Sequence, residues 1–107
     1  MTLNFSDQVA SLIDSIDYQD QAVVSRTIIE KETGTVTLFA FDENQGLSEH
    51  TAPFDAFVYL LEGEADITIT SNNHHLTKGD VIIMPANQPH ALKAKTKFKM
   101  LLIMIKS

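Results

Sequence analysis

From residue 92 to residue 100 the chain alternates, with Lys93, Lys95, Lys97 and Lys99 interleaved among Leu92, Ala94, Phe98 and Met100. A period of two belongs to a strand with one face in water and the other in a core. The four lysines are therefore expected outside and the other four residues inside, and His90 shares the inward parity. Past Met100 the side that carried lysines turns apolar, with Leu101, Ile103 and Ile105. A second sheet, the N-terminal segment or another subunit has to cover that stripe.

Earlier segments fit the same scheme. Residues 22–29 and 35–41 are rich in β-branched and aromatic side chains and flank a polar turn at 31–34. A polar stretch over 42–53 reads as a loop. Short strands follow at 56–61, 65–70, 75–77 and 81–84, separated by Glu62-Gly63, Asn72-Asn73 and Lys78-Gly79-Asp80, residues suited to tight turns. Pro85 and Pro89 interrupt the ladder, and residues 91–105 hold one long strand or a bent pair. Taking Ala56 as inward puts Val58 and Leu60 inside as well. Ahead of the strands, Val9, Leu12, Ile13 and Ile16 fall on one helical face, with Ser6 or Asp7 able to cap it. The expected organisation is one domain over 1–107, a helical segment at 1–20 and a β-barrel over 21–107.

Composition narrows the function classes. A chain of 107 residues with 44% hydrophobic residues can bury a core of its own. It has no cysteine, so disulfides, thiolate metal sites and cysteine nucleophiles are excluded. A formal charge of −6 is the wrong sign for a phosphate-backbone binder, which argues against nucleic acid as a partner. No apolar run approaches a membrane span and the start lacks signal-peptide features. The expectation is a soluble cytoplasmic protein.

Two motifs carry chemistry. Gly46, His50, Ala52, Ala56 and Gly63 form one series, and Gly79, Pro85, Asn87, His90 and Ala94 form another, with fifteen residues between Gly63 and Gly79. In order and spacing these resemble the two motifs of the cupin family. The resemblance implies an all-β fold, a cupin-type antiparallel β-barrel or jelly roll. In that family two His and a Glu of the first motif and one His of the second hold a divalent metal. Here the resemblance carries over only His50 and His90, because Ala52 and Ala56 stand at the second His and the Glu positions.

Two imidazoles are fewer protein ligands than catalytic zinc or non-haem iron sites use. Asp55, one residue before the lost Glu position, is the candidate third ligand. Its competing reading is a carboxylate that caps the local turn after Pro53. His50 and His90 can equally contact a small molecule, act in proton transfer, or pack as hydrogen-bonded core. Gln88 and Phe54 are candidate ligand contacts at the rim. Glu49 should face away from His50, and His74 and His75 read as exposed residues beside a turn.

Two functions compete. One is a small-molecule-binding barrel with or without a weakly held divalent metal (Zn, Fe, Mn or Ni). The other is a metal-dependent oxygenase or isomerase using His50, His90 and Asp55, with a metal-free isomerase or cyclase that uses a histidine base as a weaker third. The apolar stripe at Leu101, Ile103 and Ile105, together with the habit of small cupins, predicts a homodimer.

Overall fold

The computed structural model describes residues 2–107. Nine strands follow in order: β1 (Val23–Lys31), β2 (Gly34–Phe41), β3 (Gly46–His50), β4 (Phe54–Glu62), β5 (Glu64–Ile69), β6 (Asn72–Thr77), β7 (Val81–Met84), β8 (His90–Ala94) and β9 (Phe98–Lys106). They pair antiparallel into a five-stranded sheet ordered β1-β2-β9-β4-β7 and a four-stranded sheet ordered β3-β8-β5-β6. From β2 to β5, and again from β7 to β9, successive strands alternate between the sheets. That crossing makes a jelly-roll barrel of two layers around one core.

Alternation within each strand fills the core. Ala56, Val58 and Leu60 of β4, Ala65, Ile67 and Ile69 of β5, and Leu92 and Ala94 of β8 are all buried. From β9 come Phe98, Met100 and Leu102, and the Phe98 ring stacks on Phe41 with centroids 4.4 Å apart. The turn joining β4 to β5 rests on Gly63, whose φ of 84° is costly for a residue with a Cβ. Residues 91–105 are thus a bent pair, β8 and β9, in different sheets, and the inward parity of Leu92, Ala94, Phe98 and Met100 holds across the bend. The stretch read as a loop over 42–53 contains β3.

The N-terminal helix is a correction. Among the described residues there is no α-helix: Thr2 forms a single parallel bridge to Thr27, and the extended segment that follows is broken by turns at 6–7, 13–14 and 20–21. Backbone bonds from Gln8 to Phe5, Ser15 to Leu12 and Ala22 to Gln19 each span three residues, and Asp7 and Gln21 both take a φ of 54°. The apolar face is split, because Val9 is fully exposed while Ile16 is buried. The local cause is a segment dense in Asp, Ser and Asn, whose side chains compete for the backbone. The Asn4 carboxamide oxygen accepts from the Ser6 N–H, and the Ser15 hydroxyl donates to the Ser11 carbonyl.

Tertiary contacts then fix the segment. Ile16 packs with Leu38 and Ala40 of β2 and with Leu101 of β9, on the outer side of the five-stranded sheet. This overturns one of the four lysine placements. Lys93, Lys95 and Lys97 are exposed, but Lys99 is only 8% exposed. Its Nζ donates to the Ile13 carbonyl and lies 5.2 Å from the Tyr18 ring centroid, in cation–π range. The Tyr18 hydroxyl donates to Glu62 at 2.6 Å, and its pKa rises through burial first and that carboxylate second. Parity placed Lys99 on the outer face correctly, and the N-terminal segment then covered that part of the face.

Candidate functional site

At one rim of the four-stranded sheet the last residue of β3 meets the first of β8, so that His50 and His90, forty positions apart, are register partners. The pairing is irregular between Leu47 and His50, and such a bulge re-aims the side chain after it. The loops behind the two residues are tied together. Asn87, with a φ of 66°, donates its N–H to the Ala52 carbonyl at 2.8 Å, and the Thr70 N–H bonds to Pro89 at 2.9 Å.

The two imidazoles touch edge to face, with Nε2 to Nε2 at 3.1 Å and ring centroids 4.4 Å apart. The His50 Nδ1 donates to the Ser48 carbonyl at 2.7 Å, and the His90 Nδ1 to the Gln88 carbonyl at 3.2 Å. A carbonyl oxygen only accepts, so each ring carries a proton on Nδ1, and in its neutral form each presents a lone pair at Nε2. When both rings are neutral the two lone pairs face one another, and a proton on either Nε2 makes the contact a hydrogen bond. His90 is buried and His50 exposed. Burial lowers the His90 pKa, and the neighbouring His50 lowers it further.

The other sequence candidates fall around this pair without joining it. Asp55 points outward from β4, and its Oδ1 accepts the Ala86 N–H at 2.9 Å. Its carboxylate therefore serves the turn before His90 and is not brought to the imidazoles. Among the described residues no group of three or more His, Cys, Asp or Glu is placed to hold a metal ion. Gln88 contributes its backbone carbonyl to His90 while its side chain accepts from Thr70 at 3.2 Å. Phe54 is half-buried, with the inward parity of Ala56, and Glu49 is exposed. Ile69 is the buried register neighbour of His90, and Ala56 and Met84 form a buried pair across β4 and β7 of the facing sheet.

A second histidine cluster escaped the sequence reading. On the outer face of the same sheet, His75 of β6 donates from Nδ1 to Asp66 and from Nε2 to Glu64, both at 2.9 Å. Lys95 approaches Asp66 at 3.3 Å. With both nitrogens donating, His75 is an imidazolium, and the Asp66 bond first and the Glu64 bond second raise its pKa. The signal was available. Glu64 and Asp66 alternate with inward Ala65 and Ile67, and a hairpin through the turn after Ile69 sets Asp66 opposite His75. His74 is exposed, on the opposite parity.

Residues 37–106 match the family described as Cupin domain. Among solved structures, the chain is similar to a conserved protein of unknown function from Streptococcus pyogenes. The two are 35% identical, with 94% of this chain and 89% of that one covered and a TM-score of 0.90. A cupin superfamily protein from Desulfitobacterium hafniense is 29% identical over 94% and 93% of the two chains, with a TM-score of 0.89. A cupin 2 conserved barrel domain protein from Leptotrichia buccalis is 34% identical, and 88% of this chain covers 46% of that one at a TM-score of 0.85. No curated protein matches the chain.

Proposed function

The chain belongs to the cupin family, and from that premise we propose that it is a binding barrel whose site is the His50–His90 pair. The ligand class is a small molecule that offers one acidic hydrogen-bond donor to the two Nε2 atoms and rests an apolar part near Phe54 and the rim. One observation carries the reading: two Nε2 lone pairs converge at 3.1 Å while both Nδ1 protons are held by carbonyls. Facing lone pairs repel unless an electrophilic atom lies between them. With the His90 pKa lowered, a proton of its own is a poor occupant at neutral pH, and a donor from a ligand is a better one.

The same convergence favours a second occupant, a divalent cation such as Zn, Fe, Mn or Ni. His50 and His90 would hold it, with water or the small molecule completing its shell. This donor set falls short of the three protein ligands of a catalytic centre, so it fits a weakly held ion, and we derive no reaction step through it. The Asp55 carboxylate, engaged with Ala86, gives no support to an oxygenase or isomerase that needs it as third ligand.

Native mass spectrometry of tag-free protein, alone and after addition of Zn2+ or Ni2+, tests the assignment. Wild type and Asp55→Asn are expected to carry the bound species, and His50→Ala and His90→Ala to lose it. Retention by His90→Ala at the wild-type level would remove the site.

A further inference from the structure

The hairpin between β5 and β6 turns on ill-suited residues. Ile69 pairs with Asn72, so the turn consists of Thr70 and Ser71, with φ of 46° and 70°. Two successive left-handed residues make a tight hairpin turn that favours Asn and Gly, and a β-branched side chain is crowded in that region. Asn72 and Asn73, which tolerate it, follow directly but lie in β6. The turn expected at Asn72-Asn73 thus falls two residues earlier, on Thr70.

What holds Thr70 there is the segment that leads into His90. The Thr70 N–H donates to the Pro89 carbonyl at 2.9 Å, and its hydroxyl donates to the Gln88 side-chain oxygen at 3.2 Å. Thr70 therefore grips the residues on both sides of the Gln88–Pro89 peptide bond, and the carbonyl of that peptide takes the Nδ1 proton of His90. On the far side of the loop, Asp55 holds the Ala86 N–H and the Ala52 carbonyl holds that of Asn87. Those ties stop short of residues 88 and 89. Left-handed strain persists where surrounding contacts over-determine it, and it gathers around binding sites.

We propose that Thr70 is a positioning residue for His90: by fixing the Gln88–Pro89 peptide it keeps the His90 proton on Nδ1 and so leaves Nε2 open to the ligand. The inference rests on the reading of the His50–His90 pair as the binding site. A neutral imidazole has one proton for two nitrogens, and the hydrogen bond made at one decides what the other presents. Were the peptide free to turn away, the proton would be free to settle on Nε2. His90 would then donate to His50 across their 3.1 Å contact, and the pair would close on itself where a ligand's proton or a cation needs a lone pair. Thr70 is exposed, so core packing does not dictate its identity.

NMR of the ring nitrogens, on metal-free protein above the ordinary imidazole pKa, reads the tautomer, and calorimetric titration with Zn2+ reads the site. Wild type is expected to hold the His90 proton on Nδ1. Thr70→Gly accepts the left-handed turn but lacks the hydroxyl. It is expected to move that proton toward Nε2 and to weaken Zn2+ binding about tenfold, while melting no earlier in urea because the strained φ is relieved. Thr70→Ser, which keeps the hydroxyl, is expected to match wild type in tautomer and affinity. An unchanged tautomer in Thr70→Gly, a wild type with the His90 proton on Nε2, or a loss of binding that only follows a lower melting midpoint would each overturn the proposal. A wild type that binds no Zn2+ would count against the ion as occupant of the pair, whereas a tautomer shift on Thr70→Gly would still uphold the positioning role.

Discussion

The four-stranded sheet carries a histidine site on each face, and the two have opposite electrostatics. On the inner side His90 is buried against another imidazole, and both effects oppose its charge. On the outer side His75 sits in water between two carboxylates that favour its charge. The residue type is the same, and what surrounds it decides whether it presents a lone pair or a cation. The inner pair can accept from a ligand. The outer cluster has every nitrogen engaged and serves the surface of β5, β6 and β8.

Truncation tests the difference between the faces most strongly. Ile67→Ala, in the core of β5, is expected to lose about 2–5 kcal/mol in a urea melt. Lys95→Ala, outside on the neighbouring stretch, is expected to change stability by less than about 0.5 kcal/mol. Comparable losses would erase the contrast.

Binding separates the sites next. His50→Ala and His90→Ala are each expected to weaken Zn2+ or Ni2+ binding roughly 10–100-fold or more, since loss of an outer-shell partner alone has that effect. His75→Ala leaves it unchanged, as calorimetric titration would register. Equal weakening by His75→Ala would place the ion on the outer face instead.

Titration by NMR of the metal-free protein gives the third contrast. His75 is expected to titrate above 6.5 and His90 below it. The signs in stability are opposite as well. The His75 pairing is fully present below pH 6.5 and is lost as the pH rises through its raised folded pKa, so wild type and His75→Gln converge in alkaline melts. His90 disfavours its charged form when folded, so stability declines as the pH falls below 6.5 toward its lowered folded pKa. A shared titration midpoint would contradict both environments.

Salt is expected to have the smallest effect. Raising NaCl to about 0.5 M screens exposed charges and moves the His75 midpoint back toward 6.5. The His90 midpoint should move less, because burial is its first cause.

Much of this architecture was readable from the order of residues. Alternation along residues 56–60 and 92–100 identified which side chains face the core, and the spacing of Gly46, His50, Gly79 and His90 pointed to the family and singled out the two histidines that strand register brings together. These are local or spacing properties: the pleat makes neighbours diverge whatever surrounds them, and turn residues act within a few positions. The Asp55 carboxylate had two readings in the sequence, and its bond to Ala86, thirty-one positions away, depends on where the loop before β8 is laid down.

Tertiary structure alone decided what covers a face and what meets across it. Nothing near residues 9–16 says that Ile16 will pack on Leu38 and Leu101 and that Val9 will not, because an apolar period of one helical face is overridden when the sheet offers a better surface and Lys99 takes the Ile13 carbonyl. Parity put Lys99 outside, and burial beneath the N-terminal segment reversed the consequence. The 3.1 Å approach of His50 to His90 is likewise a product of strand register. Register follows from how the two sheets close on their shared core, a collective outcome of burial that no short segment encodes by itself.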